Sequence, residues 1–224
     1  MYTEEELNNY KNSILNMDCL DFLKECPDNY FDLACLDPPY GINCDGGTYG
    51  LGVAPKKMTK KSWDTGIPTK EYWDEIFRIS KNQIIFGGNY FTQFLFPTKA
   101  WIVWDKIGDY KLENNFSQCE LVWTSFKSVT KKYTFVQQGF INDDKKENKF
   151  REHPTQKPLK LFQQILSDYS KEGELVLDCF SGSGTTAIAC HNLNRNFICI
   201  EKDYDYWKAS VERLENAQAQ CKLF

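Results

Sequence analysis

Apolar residues along this chain fall into two rhythms that take turns. Short, nearly unbroken apolar runs recur at NSILNM (12–17), FDLACL (31–36), NQIIFGG (82–88), AWIVWDK (100–106), CELVWTSF (119–126), LVLDCF (175–180) and NFICIEK (196–202). Runs this short, bounded by Gly, Pro, Asp or Asn, predict buried strands. Between them lie segments with helical spacing: Cys19 to Cys26, TKEYWDEIFRIS (69–80) with apolar residues at 72, 73, 76, 77 and 79, NYFTQFLF (89–96), Leu159 to Tyr169, SGTTAIACHNL (183–193) and a closing helix over 203–220. An apolar stripe at that spacing covers one face of a helix. Residues 127–151 are polar, basic and irregular, and predict an insertion without regular structure.

Strands separated by helices predict βαβ units and hence an α/β fold, a mostly parallel sheet covered on both faces with ligands gathered at the carboxyl ends of the strands. The polar motifs lie at those ends. Asp18, Asp37, Gly87-Gly88, Asp178 and Glu201 each fall at or just past the end of a predicted strand.

The length of 224 residues, 42% of them hydrophobic, suits one domain over 1–224. No apolar run reaches the 18 or so residues that cross a bilayer, and the start MYTEEELNNYK is acidic where a signal peptide is basic, so the expectation is a soluble, cytoplasmic protein with no membrane partner. Nine cysteines without a C-x-x-C pair, several inside strand runs, read as reduced core thiols, and two histidines leave little for a metal site. Net charge is −4 but unevenly placed: residues 51–70 carry five lysines against one acid, and 124–151 carry seven Lys or Arg against three acids. Lys56, Lys57, Lys60, Lys61, Lys131 and Lys132 are therefore candidate phosphate contacts, although a lysine-rich loop is also an ordinary solvated surface.

Two short stretches bear chemistry. Asp37-Pro38-Pro39-Tyr40 leaves a strand through an acid, two rigid residues whose carbonyls stay exposed as acceptors, and a ring; taken alone it reads equally as a strand-ending turn. Asp178-Cys179-Phe180-Ser181-Gly182-Ser183-Gly184-Thr185-Thr186 joins a strand to a helix, where glycines permit a sharp turn and close approach of a ligand to free N–H groups. Glu201 ends the following strand, placed to accept from a ribose diol.

The loop at Asp178 to Gly184 resembles the cofactor loop of S-adenosylmethionine-dependent methyltransferases, DPPY resembles the catalytic motif of those that methylate exocyclic amino groups in DNA, and HPTQKP at 153–158 is similar to a third element of the same family. The order, catalytic motif before cofactor motif, is that of the circularly permuted beta-type enzymes, and implies a single-domain Rossmann-like methyltransferase fold with a seven-stranded sheet. The cofactor implied is S-adenosyl-L-methionine. Asp178, Phe180, Ser181, Gly182, Gly184 and Thr185 would curve around its methionine part, Glu201 would bind its ribose, Asp18 and Cys19 would lie against its adenine, and Thr155 and Lys157 would hold its carboxylate.

By the same resemblance Asp37 and the Pro38 carbonyl accept hydrogen bonds from the target amine, Pro39 stiffens the turn, and Tyr40 stacks on a base rotated out of the duplex. The tetrapeptide lacks the initial Asn of glutamine methyltransferases and the final Trp of messenger-RNA adenine enzymes; its Asp favours adenine N6 over cytosine N4, where Ser is usual. Gly87 to Phe91 resembles a lining of the target-base pocket and reads equally as core. The implied partner is double-stranded DNA, and a homodimer and a cognate restriction endonuclease are compatible with the family. Residues 127–151 would form a small basic target-recognition insertion. The competing readings are a cytosine-N4 enzyme, an RNA or protein amino methyltransferase, and a non-catalytic nucleic-acid-binding subunit that keeps the fold.

Overall fold

In the computed structural model, residues 2–42, 64–111, 117–138, 141–142 and 156–221 are described. An eight-stranded sheet runs through them in the order β1 (Ser13–Leu15), β10 (Asn196–Ile200), β9 (Leu175–Asp178), β2 (Leu33–Leu36), β3 (Gln83–Phe86), β5 (Cys119–Thr124), β4 (Trp101–Asp105) and β6 (Lys131–Thr134). β1, β10, β9, β2 and β3 are mutually parallel; β5 is antiparallel to both β3 and β4, and β6 lies parallel to β4. A separate two-residue ladder joins β7 (Gln137–Gln138) to β8 (Ile141–Asn142).

The central strands β2, β3 and β9 are buried at every position, and apolar but for Gln83 and Asp178, because both faces are covered. Alternate residues point opposite ways. Leu33, Cys35, Ile84, Phe86, Val176, Phe197 and Cys199 pack with α4 (Leu159–Tyr169), α5 (Thr185–Asn192) and α6 (Tyr204–Cys221). Ala34, Leu36, Ile85, Leu175, Leu177, Ile198 and Ile200 pack with α1 (Glu4–Tyr10), α2 (Cys19–Glu25) and α3 (Lys70–Ile79).

The architecture is the expected Rossmann-like α/β fold, with three departures. The sheet has eight strands rather than seven, because KKYT inside the segment expected to be irregular forms β6: its backbone pairs with β4 although its side chains carry no apolar stripe. The segment 89–96 forms only a one-turn helix at Gly88–Tyr90 and then turns, with Phe91 buried beneath it. The amino terminus forms a helix, α1, whose start is a capping box between Thr3 and Glu6, with Thr3 Oγ1 accepting from the Glu6 N–H at 3.2 Å.

The position of the site follows from the strand order. After β9 the chain moves outward to β10; after β2 it moves the other way, to β3. Neighbouring strands that diverge in this way leave a crevice beyond their carboxyl ends. Asp37 follows the end of β2, and Asp178 ends β9. Cys19, Cys26, Cys35, Cys119, Cys179, Cys190 and Cys199 are free thiols, and among the described residues no group of acids, histidines and cysteines could hold a metal and no helix is long and apolar enough to cross a membrane.

Candidate active site

Beyond β2, four side chains from distant parts of the chain converge. Lys157 Nζ lies 2.8 and 2.7 Å from the two Asp37 oxygens and 3.3 Å from Glu120 Oε1. The Tyr40 hydroxyl is 2.8 Å from Asp37 Oδ1 and 2.5 Å from Glu120 Oε1. Side-chain exposures are 8% for Lys157, 13% for Glu120 and 20% for Asp37, so these charges sit where water screens them poorly. Burial raises the Asp37 carboxyl above its ordinary range; the Lys157 ammonium opposes that rise and the Glu120 charge adds to it. For Lys157 burial favours the neutral amine, but Asp37 and Glu120 more than offset it and the ammonium holds its proton more firmly than usual.

Glycines shape the wall beside Tyr40. Gly87 has φ of +63°, and a Cβ there would lie 2.4 Å from Tyr40 Cε1; a Cβ on Gly88 would lie 2.6 Å from Trp123 Cβ. Gly87 is thus the notch that receives the Tyr40 ring, while Gly88 makes room for Trp123 and Trp101. Tyr90 then stacks on that ring, with centroids 4.8 Å apart and planes 13° off parallel, while Phe91 meets it edge-on. The pair expected either to line a pocket or to be core divides: Phe91 is core, and Tyr90, 42% exposed, covers Tyr40. Pro38 is buried and Pro39 half-buried. Just past them, the Gly41 N–H donates to Asp64 Oδ1 at 2.7 Å; Lys56, Lys57, Lys60 and Lys61 lie outside the described residues.

Beyond β9, the contacts run mostly from side chain to backbone. Gly182 and Gly184 take φ of +50° and +75°, a left-handed backbone that glycine adopts without strain. Glu201 braces the turn, its two oxygens accepting from the N–H groups of Gly182 and Asp203, each at 2.8 Å. The Ser181 N–H donates to the Ile200 carbonyl at 3.0 Å, and Arg213 donates to the Ser183 carbonyl and to the Thr185 hydroxyl. Asp178 accepts from the Phe180 N–H at 3.0 Å and the Thr186 hydroxyl at 2.5 Å. Burial nevertheless pushes its carboxyl up to about 7, against those two hydrogen bonds and with help from the Asp37 and Glu201 charges. Among the described residues no cation is paired with Asp178, so this end of the crevice is suited to a positively charged cofactor.

Two expected residues are engaged differently. Asp18 caps α2 through the Leu20 N–H at 3.0 Å and also accepts from the Tyr72 hydroxyl and Lys202 Nζ, each at 2.7 Å. Burial works against its ionisation, but these partners outweigh it and hold the carboxyl below its ordinary value. An adenine amino group would have to share Asp18 with all three. Lys157, expected at the cofactor carboxylate, spends its ammonium on Asp37; its neighbour Thr155 lies outside the described residues. Cys19 and Cys179 are both buried, and the Tyr72 and Phe180 rings stand 6.2 Å apart. Of the phosphate candidates described, Lys131 pairs with Asp168 at 3.1 Å and Lys132 with Asp105 at 3.0 Å, so phosphate would have to displace a carboxylate from either. Sequence reasoning missed Glu120, Tyr72 and Arg213. The one signal for Glu120 was an acid within an otherwise apolar strand run.

A doubly covered, largely parallel sheet with a glycine loop after one central strand and an acid-proline-proline-tyrosine turn after its neighbour defines a methyltransferase of the Rossmann-like class. The N6/N4 methyltransferase family model, described as DNA methylase, matches residues 55–212, and the chain belongs to that family of DNA amino methyltransferases. Type II methyltransferase M.HinfI of Haemophilus influenzae is 27% identical over 253 residues, spanning 94% of this chain and 70% of the relative. M2.MboI of Moraxella bovis is 27% identical over 251 residues, 95% and 90% of the two chains. Among solved structures, M1.HpyAVI in complex with SAM superposes with a TM-score of 0.59 at 23% identity, covering 90% of this chain and 98% of that one. The cytosine-N4-specific PvuII methyltransferase does so with 0.58 at 15%, covering 93% and 91%. At these identities the two structures speak for the fold.

Proposed function

We propose that this protein transfers a methyl group from S-adenosylmethionine to the N6 amino group of adenine in duplex DNA. The observation that supports this best is the position of Asp37: a carboxylate beside the Pro38 carbonyl, at the strand-order divergence, one strand from the Asp178 loop. S-adenosylmethionine supplies an electrophilic methyl on a sulfonium and carries an ammonium, and a pocket edged by Asp178 and Glu201 is electrostatically matched to such a cation. Asp178, Phe180, Ser181, Gly182, Gly184, Thr185 and Glu201 hold it.

An aromatic amine has its lone pair drawn into the ring. Acceptors at Asp37 and Pro38 grip its hydrogens and turn the nitrogen towards tetrahedral geometry, and correct placement with electrostatic stabilisation does the remaining work. The extruded base stacks at Tyr40. Since Tyr90 covers one face of that ring and the Lys157 ammonium stands 5.5 Å from its centroid, the exposed Tyr90 is the side chain that swings aside.

The chain acts as a single methyltransferase domain with a small target-recognition insertion at about 127–151, in the cytoplasm of a bacterial or phage-infected cell. Nucleoside mass spectrometry of duplex DNA incubated with the protein and cofactor tests the reading. N6-methyladenine is the expected product; N4-methylcytosine would move the target to the other amine, and unmodified DNA would favour a binding subunit.

A further inference from the structure

The Tyr40 phenol lies between two carboxyl groups but has one hydrogen to donate. With Asp37 and Glu120 both ionised, one of its contacts, 2.8 Å to Asp37 Oδ1 or 2.5 Å to Glu120 Oε1, would set oxygen lone pairs against each other. Lys157 does not remove the conflict: it neutralises one of the two acids and leaves the phenol contacts as they are. Both contacts become hydrogen bonds only when the chain Asp37–Tyr40–Glu120 holds one proton more than the phenol brings. The cluster is therefore built to take up a proton, and the reaction proposed above releases one.

We propose that Glu120 is a positioning residue for methyl transfer, acting through Tyr40 to give Asp37 a place to pass on the proton shed by the target amine. This rests on Asp37 gripping the amine as set out under Proposed function. As the nitrogen lone pair forms the N–C bond, the S–C bond breaks and its electron pair stays on sulfur. The methylated nitrogen loses an N–H proton to Asp37. Tyr40 then receives that proton while handing its own hydrogen to Glu120, so Asp37 is again a carboxylate, both phenol contacts are satisfied and Glu120 later releases its proton to water. The titratable groups facing the cluster among the described residues include Asp37 and Tyr40 after β2, the Cys35 thiol within β2, Lys157 ahead of α4, Lys106 after β4 and Asp178 at the end of β9. The Glu120 charge is one of the causes that raise the Asp37 carboxyl, as a proton shared between the two acids requires.

The test is single-turnover transfer from labelled cofactor to saturating duplex DNA, measured against pH for the wild type, Glu120→Gln, Glu120→Asp and Tyr40→Phe. Alongside it, the Asp37 carboxyl is titrated by carbon-13 NMR in free protein labelled at aspartate. Glu120→Gln keeps the side-chain length but takes no proton. It is expected to slow transfer on the order of 10²-fold. It should also shift the acid limb and the Asp37 titration to lower pH, because a neighbouring negative charge is gone, with cofactor affinity within about twofold of wild type. Tyr40→Phe, which cuts the chain but spares both acids, should slow transfer similarly, and Glu120→Asp should recover part of the rate.

A Glu120→Gln rate and acid limb equal to wild type would overturn the proposal. So would a slower rate with the acid limb unmoved, which would make Glu120 a support for β5. Asp37→Asn in the same assay separates the two levels: if it too transfers at the wild-type rate, the reading of the site fails, whereas an inactive Asp37→Asn beside an unimpaired Glu120→Gln sinks only the role of Glu120.

Discussion

The two ends of the crevice are built in opposite ways. The turn after β9 is one continuous stretch, Asp178 to Thr186, braced by backbone N–H groups that donate to Asp178 and Glu201. The cluster after β2 is assembled from side chains at 37, 40, 120 and 157, and its contacts are charged groups meeting one another. Hydrogen bonds between close neighbours in the chain fix the shape of a turn. A shared set of charges fixes a protonation state that shifts when any member changes. In the proposed reaction the first end holds the cofactor and the second handles the amine.

Substitutions can break that division. The largest effect is expected from Gly182→Val, which puts a branched side chain on a backbone with φ of +50° and removes the close approach to the ligand. Calorimetry should find no measurable cofactor binding, while the fold, followed by circular dichroism, persists. Next comes Glu201→Ala, which loses charge-assisted hydrogen bonds and should weaken cofactor binding by about 1.5 to 3 kcal/mol. Unchanged affinity in both variants would put the cofactor elsewhere.

A smaller effect sharpens the comparison through pH. Because the Asp178 carboxyl is raised to about 7 in the free protein, a cationic cofactor prefers its ionised form. Affinity should therefore climb about tenfold per pH unit below that value and level off above it. The free protein behaves in the opposite sense. A folded-state value above the ordinary carboxyl value of about 3.9 means that Asp178 withdraws stability as pH rises from there to about 7, and Asp178→Asn should flatten that decline in thermal melts. A cofactor affinity flat across pH 6 to 8 would remove Asp178 from the contact.

The smallest effect concerns DNA. Lys131 and Lys132 are partnered by Asp168 and Asp105, so their joint replacement by Ala should change the slope of log K against log salt by less than about one phosphate equivalent. Replacing Lys56, Lys57, Lys60 and Lys61 should flatten it by about 0.9 for each phosphate no longer neutralised.

The same contrast explains what could be read from the sequence. Asp178 to Thr186 is a strand, a glycine turn and a helix start in one run of letters, so its geometry was legible, and so was the turn at DPPY. Glu120 was not, because the strand pattern says only that β5 carries one charged position, and nothing local tells that it meets Tyr40 eighty residues away. Lys157 was assigned to the cofactor for a similar reason: a lysine beside a cofactor motif does not reveal that the fold brings a carboxylate to it from 120 residues earlier. β6 escaped notice since edge pairing uses the backbone, which leaves no apolar period in KKYT. The capping box of α1, by contrast, was present in Thr3 and Glu6 and could have been found.

The division of labour is tested most directly at Asp37. Asp37→Asn keeps the shape of the side chain and one acceptor oxygen but removes the charge that faces the amine and Lys157. Single-turnover transfer with labelled cofactor and saturating DNA should fall by about 10² to 10³ or more, with cofactor affinity by calorimetry close to wild type. Transfer by Asp37→Asn at a rate near that of the wild type would contradict this division and leave DPPY a turn that merely ends a strand.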